Sequence, residues 1–287
     1  CWPCPWSRLP AVRWQRWLPF LARVCLDRAT NIMRSFLAAM RFLTILPLPG
    51  AHHLRDEDWG RATAWYPAAG LVLGLILAGL DYCLRWLWPM PVSAVLLLAA
   101  WVGLTGALHL DGFVDCCDAL LAPVSRERRL EILRDVHVGA FGVTGAVLLL
   151  LVKYAALVTL PDSARLPALI LVPVLARWAM AGTLLVYPYA RSGQGLGRRA
   201  KTGAGRWQLL MATATALLVS ALAGWLGLGW VAWLLLGLVF LCALLLAQWL
   251  RSRLGGLTGD TYGAICEVAE IVGLLAPILL AGHGILP

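Results

Sequence analysis

Three aspartates stand at offsets of four and seven in the run His109-Leu-Asp111-Gly-Phe-Val-Asp115-Cys-Cys-Asp118, directly after an apolar stretch with no other charge nearby. Continued as helix, at about 100° per residue, those offsets bring the three carboxylates within roughly a 60° arc. A carboxylate held in hydrocarbon costs on the order of 3 kcal/mol, so three on one face call for a cation. Oxygen-only, anionic ligands suit Mg²⁺ or Mn²⁺ better than zinc, and Mg²⁺ usually completes its shell with water and phosphate oxygens. Phosphate chemistry is thereby implied. The competing reading makes the aspartates helix caps, or partners of the arginines between Arg126 and Arg134.

Three further segments carry polar chemistry. Arg134-Asp135-Val-His137-Val-Gly139 opens an apolar span on the same side and brings a carboxylate and an imidazole toward the first cluster; its plainer reading is a helix N-terminal acid and an interfacial histidine. Leu254-Gly-Gly256-Leu-Thr258-Gly-Asp260-Thr-Tyr-Gly263 leads into the last span, where Glu267 and Glu270 sit among apolar residues. Asp260 and Glu267 are seven apart and share a face, and an intramembrane Glu marks a functional site unless it is paired, here with Arg177 on another helix. Tyr189-Ala-Arg191-Ser-Gly-Gln-Gly195-Leu-Gly197-Arg198-Arg199 combines glycines with cations, fit to surround a pyrophosphate or to serve as a topological loop only. It is not a Walker motif, because no G-x-x-x-x-G-K-[ST] is present.

The elements that must position these residues follow from composition. The chain is 61% hydrophobic and only 14% charged, which takes it out of the soluble class. Apolar stretches long enough to span as helices are read at about 62–80, 92–110, 138–160, 166–187, 207–227, 231–250 and 263–283. Phe36 to Leu48 is too short to span and reads as an interfacial or re-entrant helix. Arginines and lysines collect in alternate loops, as they do on the cytoplasmic side, and the intervening loops are short and nearly uncharged. The fold class is therefore all-α: a polytopic membrane protein of about seven transmembrane helices, with its charged loops in the cytoplasm. The net charge of +9 follows from those loops and calls for no nucleic acid. The eight cysteines are scattered, mostly in apolar surroundings, and no structural disulfide is expected. Residues 1–32 read as an extension outside the fold, and 33–287 as one membrane-embedded domain.

Taken in order, Arg41-Phe-Leu-Thr-Ile-Leu-Pro-Leu-Pro49, Tyr66-Pro67, His109-Leu-Asp-Gly, Arg134-Asp-Val-His-Val-Gly139, Tyr189-Ala-Arg191 with Gly195-Leu-Gly197, and Gly256-Leu-Thr-Gly-Asp-Thr-Tyr-Gly263 through Glu267 resemble the cobalamin synthase family over about 33–287. The resemblance implies an enzyme of the bacterial inner membrane, its active site facing the cytoplasm. It would join adenosylcobinamide-GDP to α-ribazole or its 5′-phosphate, using Mg²⁺ and releasing GMP. It further implies metal ligands among Asp111, Asp115, Asp260 and Glu267, and a general base at Asp118 or, second, His137. Substrate and phosphate would be held by His109, Arg134, Asp135, Arg191, Arg198, Gly256 and Thr258. The bilayer is the other expected partner, and the sequence is compatible with an oligomer. Cys116 and Cys117 depart from the small polar or alanine residues expected there. A CDP-alcohol phosphotransferase lacks support, because the D-G-x-x-A-R continuation is absent after Asp111-Gly112. An ion-coupled transporter would place its acids near the midplane and show paired broken helices in two halves.

Overall fold

The computed structural model describes residues 30–48, 54–190 and 196–284. Helix α1 covers residues 30–43. Eleven more α-helices follow among the described residues: α2 Asp56–Ala62, α3 Tyr66–Leu87, α4 Met90–Leu104, α5 Leu108–Leu121, α6 Arg126–Ile132, α7 Ala140–Thr159, α8 Asp162–Val186, α9 Leu196–Thr202, α10 Arg206–Ala223, α11 Val231–Leu254 and α12 Gly259–Gly282. A 3₁₀ turn, Thr63–Trp65, joins α2 to α3, and a π-helical turn, Gly224–Leu228, extends α10. No strand occurs among the described residues; one isolated parallel bridge links Tyr189 to Leu257. Of the proposed extension, residues 1–29 lie outside the described residues, and residues 30–32 already belong to α1.

Among the described residues, six helices are long and apolar enough to cross a membrane, and the pair α4 and α5, bent by 89°, makes a seventh if read as one broken span. The all-α polytopic expectation therefore holds, with one correction of geometry. The second span does not run straight to residue 110: α4 stops at Leu104, and the chain turns through Gly106 and Ala107, both with positive φ. Glycine takes that left-handed conformation freely, whereas an L-alanine there costs about 1–2 kcal/mol. The segment following α1 closes the turn from outside, as the Ile45 amide donates to the Leu104 carbonyl at 2.9 Å.

Helix α8 is the hub. It packs against α3, α10, α11 and α12, and nearly all of its residues from Ala164 to Leu184 are buried. Its last turn is tied to α9, where Lys201 Nζ donates to the carbonyls of Leu184, Leu185 and Tyr187. Those are the carbonyls a helix end leaves without intrahelical partners, and a cation suits the negative end of the dipole. Arg126 serves α11 in the same way, donating from Nε to the Leu254 carbonyl at 2.8 Å.

Far along the chain from the aspartate motif, a second ionic cluster ties α3 to α8. Arg165 donates from Nε and Nη2 to the two oxygens of Asp81, at 2.8 and 2.6 Å, and from Nη1 to the Leu157 carbonyl. Arg85 and Asp162 extend it to the exposed rim. Both Arg165 and Asp81 are buried, so each depends on the other to keep a charge out of water.

Candidate active site

Helix α5 starts afresh after the bend, which places His109 and Asp111 in its first turn. An acid in that turn is favoured by the exposed amides of the helix start. Helix α12 starts beside it, with Thr258 as N-cap: its hydroxyl accepts from the Thr261 amide, and the Thr258 amide donates to Thr261 Oγ1. The two helices approach until their backbones nearly touch. A Cβ on Gly112 would stand 2.7 Å from the Asp260 carbonyl oxygen, and one on Gly263 would stand 3.0 Å from that of His109. Only glycine permits such an approach.

The approach puts Asp111 and Asp260 on one cavity of about 260 Å³, walled also by His109, Tyr66, Tyr189, Tyr262, Gly197 and Ala200. A cleft of about 270 Å³ between α8, α10 and α11, and a groove of about 630 Å³ beside α1 and α10, have no carboxylate in their walls. The loop before α12 is fixed by pairing with the chain after α8: Ala190 N donates to the Leu257 carbonyl and Leu257 N to that of Pro188, both at 2.8 Å.

The sequence-derived site residues divide on this geometry. Asp111, Asp260 and His109 line the cavity, and Asp115 lies one turn along α5, half-buried. Asp118 does not converge with them. Its carboxylate accepts the Gly139 and Gly142 amides at 2.8 Å each and so caps α7 from the neighbouring helix. Gly256 and Thr258 are also placed differently from expectation. Both are buried outside the cavity wall, Gly256 against the backbone of Pro188 and Ala190, and Thr258 donating to Asp260 Oδ2 at 3.3 Å. Asp135 and His137 form an exposed pair on the loop before α7, Oδ1 to Nδ1 at 2.6 Å. The hydrogen bond from His137 holds the Asp135 carboxyl below its ordinary range. Arg134 and Arg198 are exposed on the loop before α7 and on α9, and Arg191 lies outside the described residues.

Glu267 requires the largest correction. It is buried and bound to Lys153 of α7 at 2.5 Å, and Lys153 is also paired with Glu270. Arg177 of α8 is paired with Glu270 as well, as the competing sequence reading allowed, and its Nη2 lies 3.3 Å from His109 Nδ1. Lys153 stands 5.2 Å from the centre of the Trp101 ring. Glu267 is thus neutralised inside the bundle rather than presented to the cavity. Sequence reasoning missed Lys153, although an isolated lysine in an apolar span signals a buried anion by itself. Among the described residues, no three His, Cys, Asp or Glu side chains gather into a metal cage.

The family model for cobalamin-5-phosphate synthase matches residues 35–278. This chain belongs to that family. Among its relatives are proteins named adenosylcobinamide-GDP ribazoletransferase. The one from Geotalea daltonii is 39% identical over 255 residues, 88% of this chain and all of the relative. The one from Roseiflexus sp. is 42% identical, covering 85% of this chain and 88% of the relative. The one from Pseudomonas savastanoi pv. phaseolicola is 43% identical over 254 residues, 86% of this chain and all of the relative. No solved structure matches the chain. The family match covers every cavity-lining residue named above.

Proposed function

We propose that this member of the cobalamin-5-phosphate synthase family joins adenosylcobinamide-GDP to α-ribazole, or to its 5′-phosphate, in the cavity between α5 and α12. GMP is the leaving product. The observation that carries the placement is the meeting of Asp111 and Asp260, from widely separated segments, on one cavity wall. Two carboxylates are too few to enclose an ion, which fits Mg²⁺, a cation that takes one or two protein carboxylates and completes its shell with water and substrate phosphates. Asp111 and Asp260 would hold it, with Asp115 next along the same helix. When bound, Mg²⁺ neutralises diphosphate charge and stabilises the leaving oxygen.

The chain's own residues supply position and proton transfer. A ribose hydroxyl oxygen of α-ribazole forms a bond to the cobinamide-side phosphorus. The bridging P–O bond to GMP breaks, and its electron pair departs with GMP. The hydroxyl proton would go to His137 Nε2, since Asp135 takes the hydrogen bond of Nδ1–H and leaves the other nitrogen with its lone pair; His137 is exposed on the loop before α7, outside the cavity wall, so this transfer needs that loop drawn toward the bound substrate. Asp118 has both oxygens committed to amides, which favours His137 for this role. Arg134 and Arg198 are exposed cations suited to phosphate. The net positive loops support a cytoplasmic face for the cavity and an inner-membrane location.

The test is direct. Protein purified into lipid is given adenosylcobinamide-GDP and α-ribazole with and without Mg²⁺, and GMP is followed. Mg²⁺-dependent release is expected in the wild type; Asp111→Asn and Asp260→Asn should each lose at least about 100-fold in kcat, on the scale of removing an electrostatic stabiliser. Metal-independent release, or near-normal turnover in both variants, would remove the assignment.

A further inference from the structure

Two buried polar atoms on cavity-lining residues have no hydrogen-bond partner: His109 Nε2 and the Tyr262 hydroxyl oxygen. His109 is 2% exposed and Tyr262 is 3% exposed, so bulk solvent does not reach either. Leaving such a group unsatisfied costs about 1–3 kcal/mol, which a ligand atom in the cavity would recover. The two residues come from α5 and α12, the helices that carry Asp111 and Asp260.

The neighbours of His109 decide which kind of ligand atom that is. Arg177 has only donors to offer, so the ring nitrogen beside it, Nδ1, must accept. The ring proton then sits on Nε2, the buried ring atom without a partner. Behind Arg177 stand Glu270, Lys153 and Glu267, two anions against two cations when Arg177 is included.

We propose that His109 Nε2–H and the Tyr262 hydroxyl form a neutral two-donor subsite for a non-bridging phosphate oxygen, with the Arg177–Glu270–Lys153–Glu267 chain fixing the His109 tautomer. The inference rests on the proposed function for the identity of the phosphate. It makes His109 a donor rather than a base, and it gives the buried ions a positioning task through Arg177. Uncharged donors at this wall stabilise oxygen charge developed during transfer without competing with the carboxylates for the cation.

The experiment uses the full chain in lipid nanodiscs. Glutamine at 109 keeps an N–H near the Nε2 position, asparagine keeps only an acceptor for Arg177, and phenylalanine at 262 removes only the hydroxyl. His109→Asn and Tyr262→Phe should each lose about 100-fold in kcat with KM changed by less than about threefold, whereas His109→Gln should stay within about tenfold of wild type. The acidic limb of the pH–rate profile should persist in His109→Gln. Loss of that limb, or equal damage from Gln and Asn, overturns the proposal. Should the wild type release no GMP, the assigned function fails and the tautomer still answers for this inference. In ¹⁵N-histidine spectra of the unmodified protein, with the His109 signals assigned by their loss in His109→Gln, a proton on Nε2 alone supports the subsite. A proton on Nδ1, or on both nitrogens, excludes it.

Discussion

At the residue scale, Asp118 and Lys153 show how a charge inside a membrane protein is used up by its neighbours. Asp118→Ala strips the start of α7 of an acceptor for the N-cap Gly139 and first-turn Gly142 amides and should cost about 1–2 kcal/mol, read as a lower unfolding temperature in detergent; Asp118→Asn, which keeps one acceptor oxygen, should cost less. Lys153→Met leaves Glu267 and Glu270 sharing Arg177 alone, and breaking a buried ionic group in this way should cost about 3–5 kcal/mol. The exposed Asp135–His137 pair predicts a pH effect. The Asp135 carboxyl titrates below its unfolded value, so its linkage contribution is present above the ordinary carboxylate range and is lost as pH falls through the depressed value. Carbon NMR of the Asp135 carboxyl should accordingly show it still ionised at about pH 4, where a free aspartate is half protonated. Helical spacing was enough to mark Asp111 and to place Asp115 beside it. It was not enough for Asp118 or Glu267, because periodicity gives the direction a side chain points and not the partner it finds there. Lys153 lies more than 100 positions from Glu267 and Glu270, and only the packing of α7 on α12 joins it to them.

Among the elements, the close approach of α5 and α12 creates the cavity, and glycines permit it. Gly112→Ala would push a methyl group to 2.7 Å from the Asp260 carbonyl, so α5 and α12 must part and carry Asp111 and Asp260 with them. The variant should insert and reach wild-type abundance yet lose most transfer activity, with raised Mg²⁺ demand in the GMP assay. The apolar stretches were legible as spans because hydropathy over about 20 residues is a strong signal. The break after Leu104 was not, since Thr105, Gly106 and Ala107 are compatible with a continuous helix and only the backbone angles at Gly106 and Ala107 reveal the turn. The pairing of Leu257 with Pro188 and Ala190 was equally invisible, as an isolated bridge leaves no pattern in a sequence. Gly256 was recognised as special, but the close approach it permits is to protein backbone.

For the whole molecule, the ionic clusters separate two functions along α8. Arg177, in the second half of the helix, faces the chain of ions behind His109; Arg165, in the first half, clasps Asp81 of α3. Asp81→Asn should therefore lower stability by about 3 kcal/mol or more, measured by unfolding, while the KM for adenosylcobinamide-GDP stays near wild type. Replacing Asp81 and Arg165 together by leucine and methionine should recover much of that loss.

The early end of α4 also bears on the lipid around it. Fifteen residues at 1.5 Å per residue give about 22 Å, short of a hydrocarbon layer of about 30 Å. Thinning of the bilayer beside that helix would relieve the mismatch and bring headgroups and solvent toward α5. A large hydrophilic corrinoid nucleotide could then reach Asp111 and Asp260 while remaining wholly on the watery side of a dimple, and turnover should drop in vesicles built from long-chain lipids that resist thinning.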